Sequence, residues 1–247
     1  DCGYYRIRRK VLIQASDMHD TSEGIIKFAC HWQQCALYQC ECAHAVLDVR
    51  NRLWDRGLVG AAADGTGFGN VSSVVSRNEA RELAPDLVER VQSRYHAGQR
   101  YFLVTGSQTG REAVLDISGL SLVLEWNLAA NELACAGPVR ASSESLTHAA
   151  LYEAESRIGG VVHVHAPWYW AHWPENAPRT AADVSYGTPA MGYEIQRIWR
   201  ETGAAVSGAV CMGGHRDGLL AWGETVEQAL ETLLTMLAHI EQDSLLH

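Results

Sequence analysis

His163 and His165 stand one residue apart in the apolar run VVHVHAPWYWAHW, Val161 to Trp173. Read as a strand, the run turns residues i and i+2 to the same face. Both imidazoles then share a face with Val161, while Val162 and Val164 take the other. Each ring has two nitrogens to satisfy if the strand is buried, and one divalent ion shared by the rings would serve both. The competing reading is a pair of packed core histidines. A third histidine, His215, lies between glycines in MGGHRDGLLAWG, where a tight turn lets the backbone approach something closely. Three histidines on one divalent metal leave a coordination position open, as catalytic sites do, and that position can polarise a carbonyl or hydroxyl oxygen. Such chemistry needs a base. Glu144 opens a helical segment one loop before the histidine strand. In isolation it would only offset the helix dipole; beside a metal it can remove a proton alpha to a carbonyl. His148, one turn later, reads as supporting or structural.

Two glycine-rich turns invite a cofactor reading and fail it. GTGFG (Gly65 to Gly69) is not GxGxxG and precedes a strand, which excludes a Rossmann turn. GSQTGR (Gly106 to Arg111) lacks the lysine of a phosphate-binding P-loop. Their exposed N–H groups, with Asn70, Thr109, Ser142 and Ser143, can instead form a neutral anion nest, reinforced by the helix N-terminus at Ser142 and Ser143.

The elements that must position these residues are legible from patterning. Ser22 to Arg56 carries a long helical pattern with Phe28, Trp32, Cys35, Leu37, Val46, Val49 and Leu53 as its apolar positions, ended by Gly57. NVSSVV, RYFLVTG, LSLVLEWN, AAVSGAVC and GLLAWG read as strands. SSESLTHAALYEAES predicts a helix capped by Ser142 or Ser143. TPAMGYEIQRIWRETG predicts another, and ETVEQALETLLTMLAHIEQ a closing amphipathic helix with Val226, Leu230, Leu233, Leu237 and Ile240 on one face. Mixed helices and strands without regular βαβ alternation predict one α/β domain with a largely antiparallel sheet. Residues 1–21 read as an N-terminal extension, leaving 22–247 as the domain. Trp168, Tyr169, Trp170 and Trp173 read as aromatic core, with a pocket wall as the alternative.

At 247 residues and 47% hydrophobic, the chain can bury a sizeable core. A net charge of -9 disfavours nucleic acid as a partner, and the basic run Arg6 to Lys10 reads as a solvated tail. No stretch approaches the ~18 apolar residues of a membrane span. Seven cysteines, an odd number, predict a reducing, cytoplasmic setting. The four in CHWQQCALYQCEC lack zinc-knuckle spacing and read as buried thiols.

GFGNVSSVVSR, FLVTGSQTG, ASSESLTHAALYEAESRIGGVVHVHAP and MGGHRDGLLAWG follow one another in an order that resembles the class II aldolase/adducin family. The resemblance runs from about Gly24 to the last helix. It implies a central antiparallel sheet flanked by helices, and a homotetramer with sites at subunit interfaces. It implies that His163, His165 and His215 ligate zinc, or alternatively Mn2+, Co2+, Mg2+ or Fe2+. Glu144 would ligate the metal at rest and act as acid/base once substrate displaces it. Gly69 with Asn70, Thr109 with Gly110, and Ser142 with Ser143 would hold a substrate phosphate. Tyr186, in SYGTP, matches a position where an aromatic contributes to the neighbouring site and enters as a second catalytic candidate. FLVTGSQTG is longer than the Thr-Pro-x-Gly loop of the small aldolases, and GGHRDGLL departs from their His-His-Gly. Carboxylate donors of the pyruvate type therefore stand beside the phosphates.

The implied function is a metal-dependent carbon–carbon lyase acting on a sugar phosphate or 2-oxo acid through an enediolate or enolate. Epimerase or dehydratase chemistry would use the same residues. An iron(II) oxygenase is a more distant reading of three histidines. An adducin-like binding module is the non-enzymatic one, and the presence of Glu144 with all three histidines argues against it.

Overall fold

The histidine run forms strand β8 (Gly160–His165), sixth of eight strands in the main sheet. The computed structural model describes residues 25–88 and 100–245. The expected N-terminal extension, with Cys2 and the basic run Arg6 to Lys10, lies outside them. Among the described residues the strands are β1 (Ala29–Gln34), β2 (Gly60–Ala61), β3 (Gly67–Phe68), β4 (Asn70–Val75), β5 (Tyr101–Thr105), β6 (Leu120–Asn127), β7 (Glu132–Gly137), β8, β9 (Gly208–Cys211) and β10 (Gly218–Gly223). The helices are α1 (Glu41–Trp54), α2 (Arg77–Leu83), α3 (Pro85–Val88), α4 (Ser145–Ala154), α5 (Pro167–Ala171), α6 (Pro189–Glu201) and α7 (Val226–Ser244). The sheet order is β1-β7-β6-β5-β4-β8-β10-β9, with β2 and β3 forming a separate two-stranded ribbon. Every pairing in the sheet is antiparallel except β1 with β7.

Alternation along the strands sends apolar side chains into two layers. Val162 and Val164 of β8 join Val71, Leu103, Leu122, Leu219 and the buried faces of α1 and α7. Val161, with Phe102, Val123 and Leu220, packs beneath α4 and α6. The predicted stripe of α7 is buried, and its Thr225 cap accepts the Gln228 N–H at 3.2 Å. The result is a single α/β domain, a large and mostly antiparallel sheet flanked by helices. Among the described residues no helix is long and apolar enough to cross a membrane.

Four expectations are corrected. The helix expected from Ser22 to Arg56 begins only at Glu41. Ala29 to Gln34 is strand β1, because Cys30 and Trp32 alternate to one face and β7 offers an open edge in register, Trp32 opposite Cys135. The cysteines of this segment are not all buried thiols. Cys40 and Cys42 form a disulfide at the start of α1, Cys30 and Cys35 are half-buried, and Cys30 Sγ lies 3.8 Å from Cys135 Sγ. The cap of α4 is Glu144, not a serine; Ser142 instead accepts the Glu144 N–H through its Oγ at 3.3 Å. The aromatic run divides as well: Trp173 is core, whereas Trp168 is exposed.

Candidate metal centre and anion cleft

β8 lies between β4 and β10, which sets His163 opposite Asn70 on one side and Leu220 on the other. Antiparallel partners share a face, so Asn70 and His163 both face the layer beneath α4. His165 pairs with Gly218 at the start of β10. The turn between β9 and β10 supplies His215, whose N–H bonds to Met212 O at 3.1 Å. The preceding glycines act as the sequence suggests. A Cβ on Gly213 would lie 2.2 Å from Thr180 O, and one on Gly214 2.0 Å from Val184 O, so only glycine lets this turn lie against the 180–184 segment.

The three imidazoles converge. Ring centroids are 5.1 Å apart for His163 and His165, and 4.8 Å for His215 with each of them. One nitrogen from each ring falls within 4.8 Å of the others. His163 Nδ1 bonds to Leu219 O at 3.0 Å, which fixes the ring and turns Nε2 the other way, the backbone support typical of a metal-ligating histidine. Zinc and its first-row neighbours accept imidazole nitrogen at about 2.0–2.1 Å, so this donor set fits a divalent ion of that kind. Phe68 walls His165 at 5.2 Å, and Tyr186 stacks on His215 of its own chain at 4.6 Å with 25° between planes. Lys27 Nζ lies 3.6 Å from the Tyr186 ring centroid.

Glu144 reaches the cluster from the start of α4. Its Oε1 is 3.7 Å from His215 Nδ1, and both side chains are 2% exposed. The Thr147 hydroxyl donates to its Oε2 at 2.6 Å. Behind it, His148 Nδ1, Ser72 Oγ and Tyr152 Oη form a buried chain with 2.7 Å links. Burial pushes the His148 imidazole down to about 3 and raises the Tyr152 hydroxyl.

The anion-nest residues, far apart in the chain, meet in one cleft. Gly69 and Asn70, Thr109 and Gly110, and Ser142 and Ser143 line it together with Glu144 and His163. The Asn70 side-chain oxygen is buried there without a hydrogen-bond partner. Thr147, Gln108 and Arg50 are further residues of this region. Thr147 was recoverable from its i+3 spacing to Glu144; the other two carry no distinctive local signal.

A family model described as the class II aldolase and adducin N-terminal domain matches residues 45–241. Among solved structures the chain is similar to a sugar-phosphate aldolase from Thermotoga maritima, at 17% identity and TM-score 0.56, over 81% of this chain and 92% of that one. It is also similar to an L-fuculose 1-phosphate aldolase, at 15% identity and TM-score 0.56, over 85% and 87%. YgbL from Escherichia coli, provisionally assigned to aldolase, epimerase or decarboxylase chemistry, aligns at 19% identity and TM-score 0.54 over 83% and 89%. At these identities the structural matches speak for the fold, and the family match speaks for descent: the chain belongs to the class II aldolase and adducin family.

Proposed function

We propose that the chain is a divalent-metal-dependent aldolase that cleaves the bond between the carbons alpha and beta to the carbonyl of a sugar phosphate or 2-oxo acid, leaving an enediolate or enolate and releasing an aldehyde. The observation that carries this reading is the convergence of His163, His165 and His215 with a buried carboxylate, Glu144, 3.7 Å from His215. The histidines hold the ion, zinc in first place, and Glu144 completes its shell at rest. A bound divalent ion supplies Lewis-acid polarisation of the donor carbonyl. Glu144 moves the proton at the carbon alpha to that carbonyl. Its anchor on Thr147 keeps Oε2 occupied and Oε1 toward His215. Gly69, Asn70, Thr109, Gly110, Ser142 and Ser143 bind the anionic end of the donor, and Tyr186 closes the side of the pocket next to His215. The family resemblance extends the reading to a homotetramer; light scattering giving the mass of a single chain at working concentration would end that part.

The deciding experiment follows deuterium exchange of the donor's alpha proton by NMR, with phosphorylated ketoses and 2-oxo acids and no aldehyde acceptor. Wild type exchanges. Glu144→Gln keeps the shape but cannot take the proton, and loses roughly 10²–10⁴-fold. Product analysis then separates cleavage from epimerisation or dehydration, which would draw on the same carboxylate. No exchange with any donor would overturn the reading.

A further inference from the structure

Arg50, on α1, is 1% exposed, and among the described residues none of its hydrogen bonds goes to a carboxylate. One terminal nitrogen donates to Thr109 O at 3.1 Å and Gly110 O at 3.2 Å; the other donates to Asn51 Oδ1 at 3.1 Å and Ala113 O at 3.3 Å. All four acceptors are neutral. Burial lowers its pKa while the Glu112 carboxylate raises it, and a guanidinium keeps its charge in proteins. A buried cation held only by neutral oxygens is costly unless an anion comes near it.

The loop it grips is one wall of the anion cleft. A trans peptide is planar, with C=O and N–H on opposite sides. Drawing the Thr109 and Gly110 carbonyls onto Arg50 therefore turns the N–H groups of Gly110 and Arg111 away from it, and Gly110 lines the cleft. Gly67, in strand β3 of the facing ribbon, packs so closely that a Cβ there would lie 3.0 Å from the Gly110 nitrogen. Its own N–H already points at an oxygen, Oε1 of Gln108, at 3.1 Å. The cleft thus satisfies one of its donors internally, with a side-chain oxygen that an incoming anion can replace.

We propose that Arg50 is a positioning residue that charges this cleft from behind, polarising the Thr109–Gly110 and Gly110–Arg111 peptides toward an oxyanion on the donor without touching it. The donor group is a phosphate or a carboxylate. The inference rests on the site reading above, and its test uses binding without turnover, so failure of the aldolase chemistry would leave it standing or falling on its own.

Inorganic phosphate, and separately acetate, are titrated into the metal-loaded protein while the backbone amides of Gly67 and Gly110 are followed by NMR. Saturable shifts are expected, and which anion produces them identifies the group. Arg50→Lys, which keeps the charge, stays within a few-fold of wild type. Arg50→Gln, which keeps donors but not charge, weakens binding at least about tenfold, with metal content unchanged. Glu112→Gln, an exposed change that removes a carboxylate opposing both Arg50 and Arg111, tightens binding, and if Arg50→Gln does not fold the tightening is read in an Arg111→Gln background, where only Arg50 can produce it. No saturable shift in wild type with either anion, equal affinity in Arg50→Gln, equal loss in both Arg50 variants, or no tightening in Glu112→Gln would each overturn the proposal.

Discussion

The hydroxyl of Thr147 donates to Oε2 of Glu144 at 2.6 Å, from one turn into the helix that Glu144 caps. The carboxylate is thereby held in one rotamer, with its other oxygen toward His215. Thr147→Val is nearly isosteric and removes only this bond. The expected result is a fall in kcat of roughly tenfold, in line with a hydrogen bond to a charged group, with little change in Tm or metal content. Thr147→Ser should restore the rate. An unchanged kcat in Thr147→Val would mean that the carboxylate is oriented by other contacts.

Removal of the ion should be visible in stability as well as in rate. A ligand present at a hundred times its Kd adds about 2.7 kcal/mol to the native state, so chelation is expected to lower Tm and reconstitution to restore it. His163→Ala/His165→Ala should lose both stoichiometric metal and the chelator-sensitive part of Tm. Full metal content in that double variant would place the ion elsewhere.

His148 should make the fold acid-sensitive. Its imidazole titrates near 6.5 in the unfolded chain and near 3 in the folded one, because burial disfavours the cation. Between these values the unfolded chain binds more protons, so stability falls as pH drops below about 6.5 and is unaffected above it. The contribution is on the order of a few kcal/mol by pH 4. His148→Gln, which keeps a polar partner for Ser72, should flatten the fall in Tm between pH 7 and pH 4. Parallel curves for the two proteins would assign the acid sensitivity to other groups.

Gly69 connects the small ribbon to β4 at φ +75°, and a Cβ there would meet Val59 Cγ2 at 2.8 Å and His163 O at 3.1 Å. Gly69→Ala is expected to destabilise by about 1–3 kcal/mol and to weaken metal binding, since the displaced backbone is that of His163. Gly65→Ala makes a useful control: it shares the positive φ, but nothing lies within 4 Å of its added carbon. Equal metal affinity in Gly69→Ala and Gly65→Ala would separate this turn from the metal centre.

Much of the centre was legible because its signals are local. A two-residue period places His163 and His165 on one face, and glycines around His215 imply close approach, as the contacts with Thr180 and Val184 bear out. The architecture, an α/β domain around a mostly antiparallel sheet, followed from the mixture of strand and helix patterns. What escaped was decided at a distance. Ala29 to Gln34 is strand only because β7 lies beside it, and ELACAG, poor in branched residues, gives little sign of being β7. Arg50 on its helix looks like any surface arginine until the 109–113 loop folds over it. Serine at the start of α4 resembled a cap, but the helix starts at Ser145 with Glu144 as its cap, one or two residues later.

The parallel pairing of β1 with β7 also bears on the order of assembly. It joins Ala29 to Glu132 across on the order of a hundred residues of chain, whereas β6 and β7 are joined by a tight turn. Local hairpins close early and distant pairings late. β1 therefore docks on an edge that the β6–β7 hairpin provides, and Lys27, just ahead of β1, lies over the Tyr186 ring. Through Lys27 and Tyr186, the wall beside His215 is thus tied to the longest-range strand pairing among the described residues.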